Sequence, residues 1–292
     1  MQSINLEELF NLISVRPPYF ALENLELNEN GTLSADIPIQ QPLGMEAAVI
    51  SAAETGRHLA ILGACCIAIF NPNQTKHYYL AHNAEFISNP YQPDSEIGNY
   101  VRGTAQGFLL NKRSAVAITS ITNKLGITIN SLKIYYHVIP EKVFIKIYKK
   151  FQTCTNFEMG INPYKKSLSL QSISIVNNKL KASIGTVLSE DCTGHFPDFP
   201  AIPVAILANI LIGATGYLLK NILQEKEFKY IVVKVLLRAE NLAFSGEIVN
   251  LEVNYLYTNN NEYVFSCIAI TDCMKQVGNL CITLSPVTLT NT

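Results

Sequence analysis

Residues 199–219, "FPAIPVAILANILIGATGYLL", run without a charged side chain. Such a run is either a membrane span or a helix buried on every side. Pro200, Pro203, Asn209, Gly213 and Gly216 interrupt it and no aromatic belt flanks it, so it reads as a core helix over 203–223. A second helical pattern, rich in alanine, covers 44–66. A third, over 5–15, places Leu6, Leu9, Phe10 and Ile13 at helical spacing and ends at "RPPYF". Elsewhere the pattern is that of strands, with β-branched and aromatic residues in 77–88, 114–139 and 142–151. More strands are expected over 229–238, 247–257, 262–270 and 276–287. Hairpin turns fall at Asn30-Gly31 and Asn177-Asn178.

Both halves of the chain follow one order: hairpin, long helix, several strands. Local sequence repeats too. "AAETGRHLAIL" lies over "IGATGYLLKNI" at an offset of 160 residues, which matches Thr55-Gly56 to Thr215-Gly216. The polar stretch 152–166 reads as the link between the halves. A long helix wrapped by a twisted antiparallel sheet is buried all round, which explains an uncharged helix in a soluble protein.

The 292 residues are 48% hydrophobic and 15% charged, a well-packed globular composition. A net charge of −1 without a basic block excludes a nucleic-acid backbone binder. Seven scattered cysteines, with no C-x-x-C, suggest free thiols in a reducing compartment and no metal site. The acidic N-terminus, "MQSINLEELF", is unlike a signal peptide, so a cytoplasmic protein without a membrane span is expected. No glycine-rich phosphate loop is present, so no cofactor is expected, and no G-x-S-x-G nucleophile motif occurs. Cys192 stands three residues before His195, but nothing in the sequence activates its thiol.

The candidate chemistry lies in "GHFPDFPAIP", residues 194–203. With the helix that follows, it resembles the His-Phe-Pro loop and central helix of the hotdog-fold β-hydroxyacyl-carrier-protein dehydratases, a family within the thioesterase superfamily. "LEELFNLISVRPPYFALENLELN" is similar to that family's first helix and strand, and the C-terminal strands to its closing strands. The resemblance implies an α+β tandem (double) hotdog, with one hotdog over 1–155 and a second, carrying the His-Phe-Pro loop, over 165–292. It also implies dehydration of a β-hydroxyacyl thioester of acyl carrier protein or coenzyme A, or the reverse hydration. Two alternatives accompany it: a hotdog acyl thioesterase and a non-catalytic acyl-binding protein.

Carried over by position, His195 is the catalytic base, and Phe196, Pro197, Pro203 and Val204 border the substrate. Val204 stands where the family has glycine, and Asn209 where it has the helix carboxylate. In a double hotdog His195 faces the helix of the other half, where Glu54 is the first choice for its acid and Glu46 the second. A double hotdog completes the usual dimer within one chain and leaves a further homodimer open.

Overall fold

The computed structural model describes residues 2–89, 100–123, 125–153, 162–225 and 227–287. In chain order its elements are β1 (Gln2–Ser3), α1 (Leu6–Phe10), β2 (Glu23–Leu27), β3 (Leu33–Pro38), α2 (Ala52–Phe70), β4 (His77–Ser88), β5 (Tyr100–Asn111), β6 (Ser114–Thr122), β7 (Thr128–Pro140) and α3 (Glu141–Tyr148). They continue with β8 (Gln171–Val176), β9 (Lys179–Thr186), α4 (Val204–Leu223), β10 (Lys229–Ala239), β11 (Ile248–Asn259), β12 (Glu262–Thr271) and β13 (Gln276–Val287).

The strands form one antiparallel sheet in the order β1-β2-β3-β5-β6-β7-β4-β10-β13-β12-β11-β9-β8. Strands β1–β7 occupy one side of it and β8–β13 the other. They join where β4 pairs with β10, with Leu236 opposite Glu85. An ion pair between Lys234 and Glu85, at 2.6 Å, lies on this seam. Helix α2 packs on β3–β7, α4 packs on β9 and β11–β13, and the two helices touch each other. The chain is therefore an α+β fold built on one large antiparallel sheet.

Both long helices are apolar because both are interior. Leu59 and Leu62 of α2, and Leu211, Leu218 and Leu219 of α4, have no exposed surface. Burying each contributes on the order of 1.5–3 kcal/mol. By length and composition either helix could cross a membrane, yet 78% of the apolar window in α2 and 61% of that in α4 are buried inside the protein.

Three expectations change. The stretch 142–151 is a helix followed by a 3-10 turn, not a strand. Its apolar residues fit both periods, and packing selects the helical one: Phe144 is fully buried and stacks on Tyr78 with centroids 3.6 Å apart. Helix α2 starts at Ala52 instead of residue 44, because Ser51 caps it by accepting from the Glu54 N–H. Strand β5 was not expected at all. Of the anticipated link at 152–166, residues 154–161 lie outside the described residues.

Candidate active site

His195 lies in the loop between β9 and α4, pressed against the segment after α1. Gly194 makes this contact: its φ is +81°, and a Cβ there would stand 2.3 Å from the Arg16 carbonyl oxygen. Its own carbonyl accepts from the Arg16 N–H at 2.7 Å. Only glycine combines that conformation with so close an approach. Phe196 is held at φ +145°, and its ring stacks on the imidazole with centroids 4.0 Å apart. A phenylalanine in this region is strained, a state that persists only where surrounding packing imposes it.

The Nδ1–H of His195 donates to the Ala201 carbonyl at 2.8 Å. A carbonyl only accepts, so the proton is on Nδ1 and the lone pair on Nε2. Among the described residues Nε2 has no hydrogen-bond partner. Burial lowers the imidazole pKa to about 4, against the opposing effect of the Ala201 bond. At neutral pH the site holds a neutral histidine with a free acceptor nitrogen.

His195 lines a cavity of about 150 Å³ between the two helices and the β4–β10 seam. Ala52, Ala53, Gly56 and Ala60 of α2 line it on one side, and Leu207 and Ala208 of α4 on the other. Small residues one turn apart on α2 leave this space open. Helix α4 begins at the same cavity. Its N-cap is Pro203, which offers no side-chain cap, and the Ile206 and Leu207 amides both bond to the Pro203 carbonyl. The amides of Val204 and Ala205 have no partner among the described residues, and both residues line the cavity. Unpaired amides at a helix start favour negative charge.

The expected site residues therefore separate. His195, Phe196 and Val204 line the cavity; Pro197, Pro203, Glu54 and Glu46 do not. Glu54 is buried, and its two carboxyl oxygens accept from the main-chain N–H groups of Gln40, at 2.8 Å, and Gln41, at 3.1 Å. Arg57 and His58 stand 3.9 and 3.7 Å from it. Glu46 accepts from the Ala52 N–H at the start of α2, and burial raises its pKa to about 7. Asn209 donates to the Gln41 side chain at 2.8 Å, and Gln41 in turn donates to the Tyr164 carbonyl. Cys192 is buried and its thiol pKa is raised by burial, the reverse of an activated nucleophile. No group of three potential metal ligands exists among the described residues.

Sequence reasoning missed Tyr19. Its ring meets the His195 imidazole edge-on at 4.8 Å and the Tyr164 ring at 5.0 Å. Tyr164 donates to the Thr193 carbonyl at 2.7 Å, which steadies the loop from the far side. Tyr19 lies in "RPPYF", which in the sequence carries no signal beyond breaking a helix.

The fold itself is that of hotdog proteins, and solved thioesterase structures share it along most of the chain. Acyl-CoA thioesterase II of Mycobacterium marinum is 8% identical, with a TM-score of 0.54, over 99% of this chain and 100% of that one. The 12:0-ACP thioesterase of Umbellularia californica is 7% identical, with a TM-score of 0.54, over 93% and 100%. An acyl-ACP thioesterase of Bacteroides thetaiotaomicron is 12% identical, with a TM-score of 0.51, over 88% and 99%. Neither a protein-family model nor a curated protein sequence matches the chain.

These findings correct the dehydratase expectation, and with it the hydro-lyase class. The three solved structures named above, which share this architecture, are thioesterases. Dehydration also needs an acid to protonate the departing hydroxyl. Among the described residues the cavity wall contains no carboxyl group.

Proposed function

We propose that the protein is an acyl thioesterase acting on acyl groups carried by coenzyme A or acyl carrier protein. The observation that carries this reading is the free Nε2 of His195, held at an apolar cavity beside the unpaired amides of Val204 and Ala205. The acyl chain occupies the cavity between the helices, against Phe196 and Val204. The amides of Val204 and Ala205 donate hydrogen bonds to the carbonyl oxygen as it gains charge. His195 Nε2 takes a proton from water as the water oxygen attacks the carbonyl carbon. Collapse of the adduct breaks the C–S bond, and the leaving thiolate recovers the proton from the imidazolium. The products are a free acid and a free thiol.

In this reading the chain is a double hotdog, each half wrapping its own helix, and it works in the cytoplasm without a membrane span, metal or cofactor. Glu54 shapes the loop at 40–41 and is not the acid. Thiol release from a series of acyl-CoA substrates tests the proposal. Turnover that His195→Ala abolishes supports it; turnover unchanged in that variant refutes the histidine's role. A second reading, an acyl-binding protein without turnover, draws on the absence, among the described residues, of a carboxyl group from the cavity wall. Tight binding of acyl-CoA with no thiol released would favour it.

A further inference from the structure

The cavity is walled almost entirely by apolar side chains, so each polar atom that reaches it is conspicuous. Most are already engaged. Ser14 donates to the His77 carbonyl, at 2.9 Å. Tyr79 accepts from Asn71, and Tyr136 donates to the Ala60 carbonyl. The amide nitrogen of Asn241 donates to the Gln276 carbonyl. Tyr19 differs. It is 5% exposed and lines the cavity beside His195, and among the described residues its hydroxyl has no hydrogen-bond partner. The polar side-chain atoms that are both sealed and unpaired belong to Arg57, His58 and Asn130, so the Tyr19 hydroxyl is not sealed. It opens into space that a ligand can enter.

From this we infer that Tyr19 is a catalytic residue, whose O–H donates a hydrogen bond to the thioester carbonyl oxygen alongside the α4 amides. The inference rests on the thioesterase reading. It assigns complementary roles to two neighbouring side chains: His195 Nε2 only accepts, and the Tyr19 hydroxyl can donate. Ser14 and Tyr136 have committed their O–H groups to main-chain carbonyls, and of the cavity tyrosines Tyr19 is the one in ring contact with His195. Tyr19 makes no proton transfer in the step written above; its hydrogen bond strengthens as the carbonyl oxygen becomes negative. Burial raises its pKa, so the phenol keeps its proton at neutral pH. The Arg57 guanidinium, 5.9 Å from the ring centroid, favours polarisation of the O–H toward a negative partner. Tyr19 comes from the segment before β2 and His195 from the loop before α4, so each half of the chain supplies one group.

Two non-hydrolysable probes test this with the intact protein. The ketone analogue of octanoyl-CoA, with CH₂ in place of sulfur, keeps the carbonyl; the thioether S-octyl-CoA lacks it. Tyr19→Phe preserves the ring contacts with His195 and Tyr164. It is expected to weaken binding of the ketone about 10-fold and to leave the thioether unchanged. Where wild-type turnover is measured, kcat falls on the order of 100-fold. Tyr136→Phe, at a cavity tyrosine whose O–H is already donated to the Ala60 carbonyl, is expected to show no carbonyl-dependent loss. An equal effect of Tyr19→Phe on both probes, or none on either, overturns the assignment, as does failure of the wild type to bind the ketone. Absence of thiol release from the wild type instead refutes the thioesterase reading, and the probe comparison still decides the role of Tyr19.

Discussion

The Nδ1–H of His195 points at the carbonyl of Ala201, 2.8 Å away, inside the same Pro-rich loop. This one bond sets the tautomer and frees Nε2 for the cavity. It also ties the histidine's chemistry to pH. Burial holds the His195 pKa at about 4, and His58, buried beside Arg57, also titrates near 4. Activity that needs neutral His195 is expected to be flat from neutral pH down to about 5 and to fall through an acid limb near 4. A pH profile of kcat/KM checks this; an acid limb near 6.5 would mean that the histidine is not desolvated in the working enzyme.

The same shift makes stability depend on pH. An unfolded histidine titrates near 6.5, above both folded values. Between about 4 and 6.5 the unfolded chain binds more protons, so stability rises with pH across that window. It is fully present above the unfolded pKa and is lost as pH falls toward the folded value. Each histidine contributes up to about 3 kcal/mol, from 1.36 kcal/mol per unit. Urea unfolding at pH 7.5, 6, 5 and 4.5 measures the slope, and His195→Gln should remove roughly its share.

Glu54→Gln separates structure from catalysis. Both carboxyl oxygens of Glu54 accept main-chain N–H groups, from Gln40 and Gln41, and Arg57 lies buried beside them. A glutamine side chain can accept at one oxygen only. It leaves one amide facing an NH₂ group and Arg57 without a counter-charge. Breaking a buried pair in this way costs about 3–5 kcal/mol. The expected result is a large loss of stability in urea, with kcat near the wild-type value at low temperature. A loss of kcat of about 100-fold or more in folded protein would return Glu54 to the chemistry.

Much of this architecture is legible in the sequence, because it rests on local patterns. The two helices, the Asn177-Asn178 turn and the strands after α4 follow from periodicity and turn chemistry. The 160-residue offset locates Glu54 on the helix of the opposite half. Which way its carboxyl group points depends on how the 40–41 loop folds over the start of α2, and no spacing rule encodes that. The same holds for Tyr19: its value to the site comes from a contact with a loop 176 positions later in the chain. In α3 the alternation of apolar and polar residues was ambiguous, and stacking of Phe144 on Tyr78 resolved it.

Gly194→Ala tests the loop that carries His195. Its φ of +81° and the 2.3 Å approach of a Cβ to the Arg16 carbonyl oxygen leave no place for a methyl group. The strained backbone alone costs about 1–3 kcal/mol. Relief requires the loop to move off the segment at 16–19, which takes His195 from Tyr19. Lower stability should therefore come with a loss of thiol release in the fraction that remains folded. A variant as active as the wild type per folded molecule would show that the loop position does not matter to the reaction.

The repeated Thr-Gly pairs offer the sharpest contrast, because the matched glycines have opposite surroundings. A Cβ on Gly56 meets nothing within 4 Å, whereas one on Gly216 would stand 2.1 Å from the Tyr230 ring. Gly56 lines the cavity, and Gly216 lets α4 pack directly on β10. Both lie in helix interiors, where alanine is favoured over glycine by about 1 kcal/mol. Gly56→Ala is therefore expected to stabilise the protein by roughly 0.5–1 kcal/mol, and Gly216→Ala to destabilise it by about 1–3 kcal/mol through overpacking. Urea midpoints measure both. Gly56→Leu extends the test to function: its side chain enters the cavity, so under the proposed function the preferred acyl chain should shorten while His195 is untouched. An acyl-CoA chain-length series gives the answer, and an unchanged preference would place the acyl group outside the space between the helices.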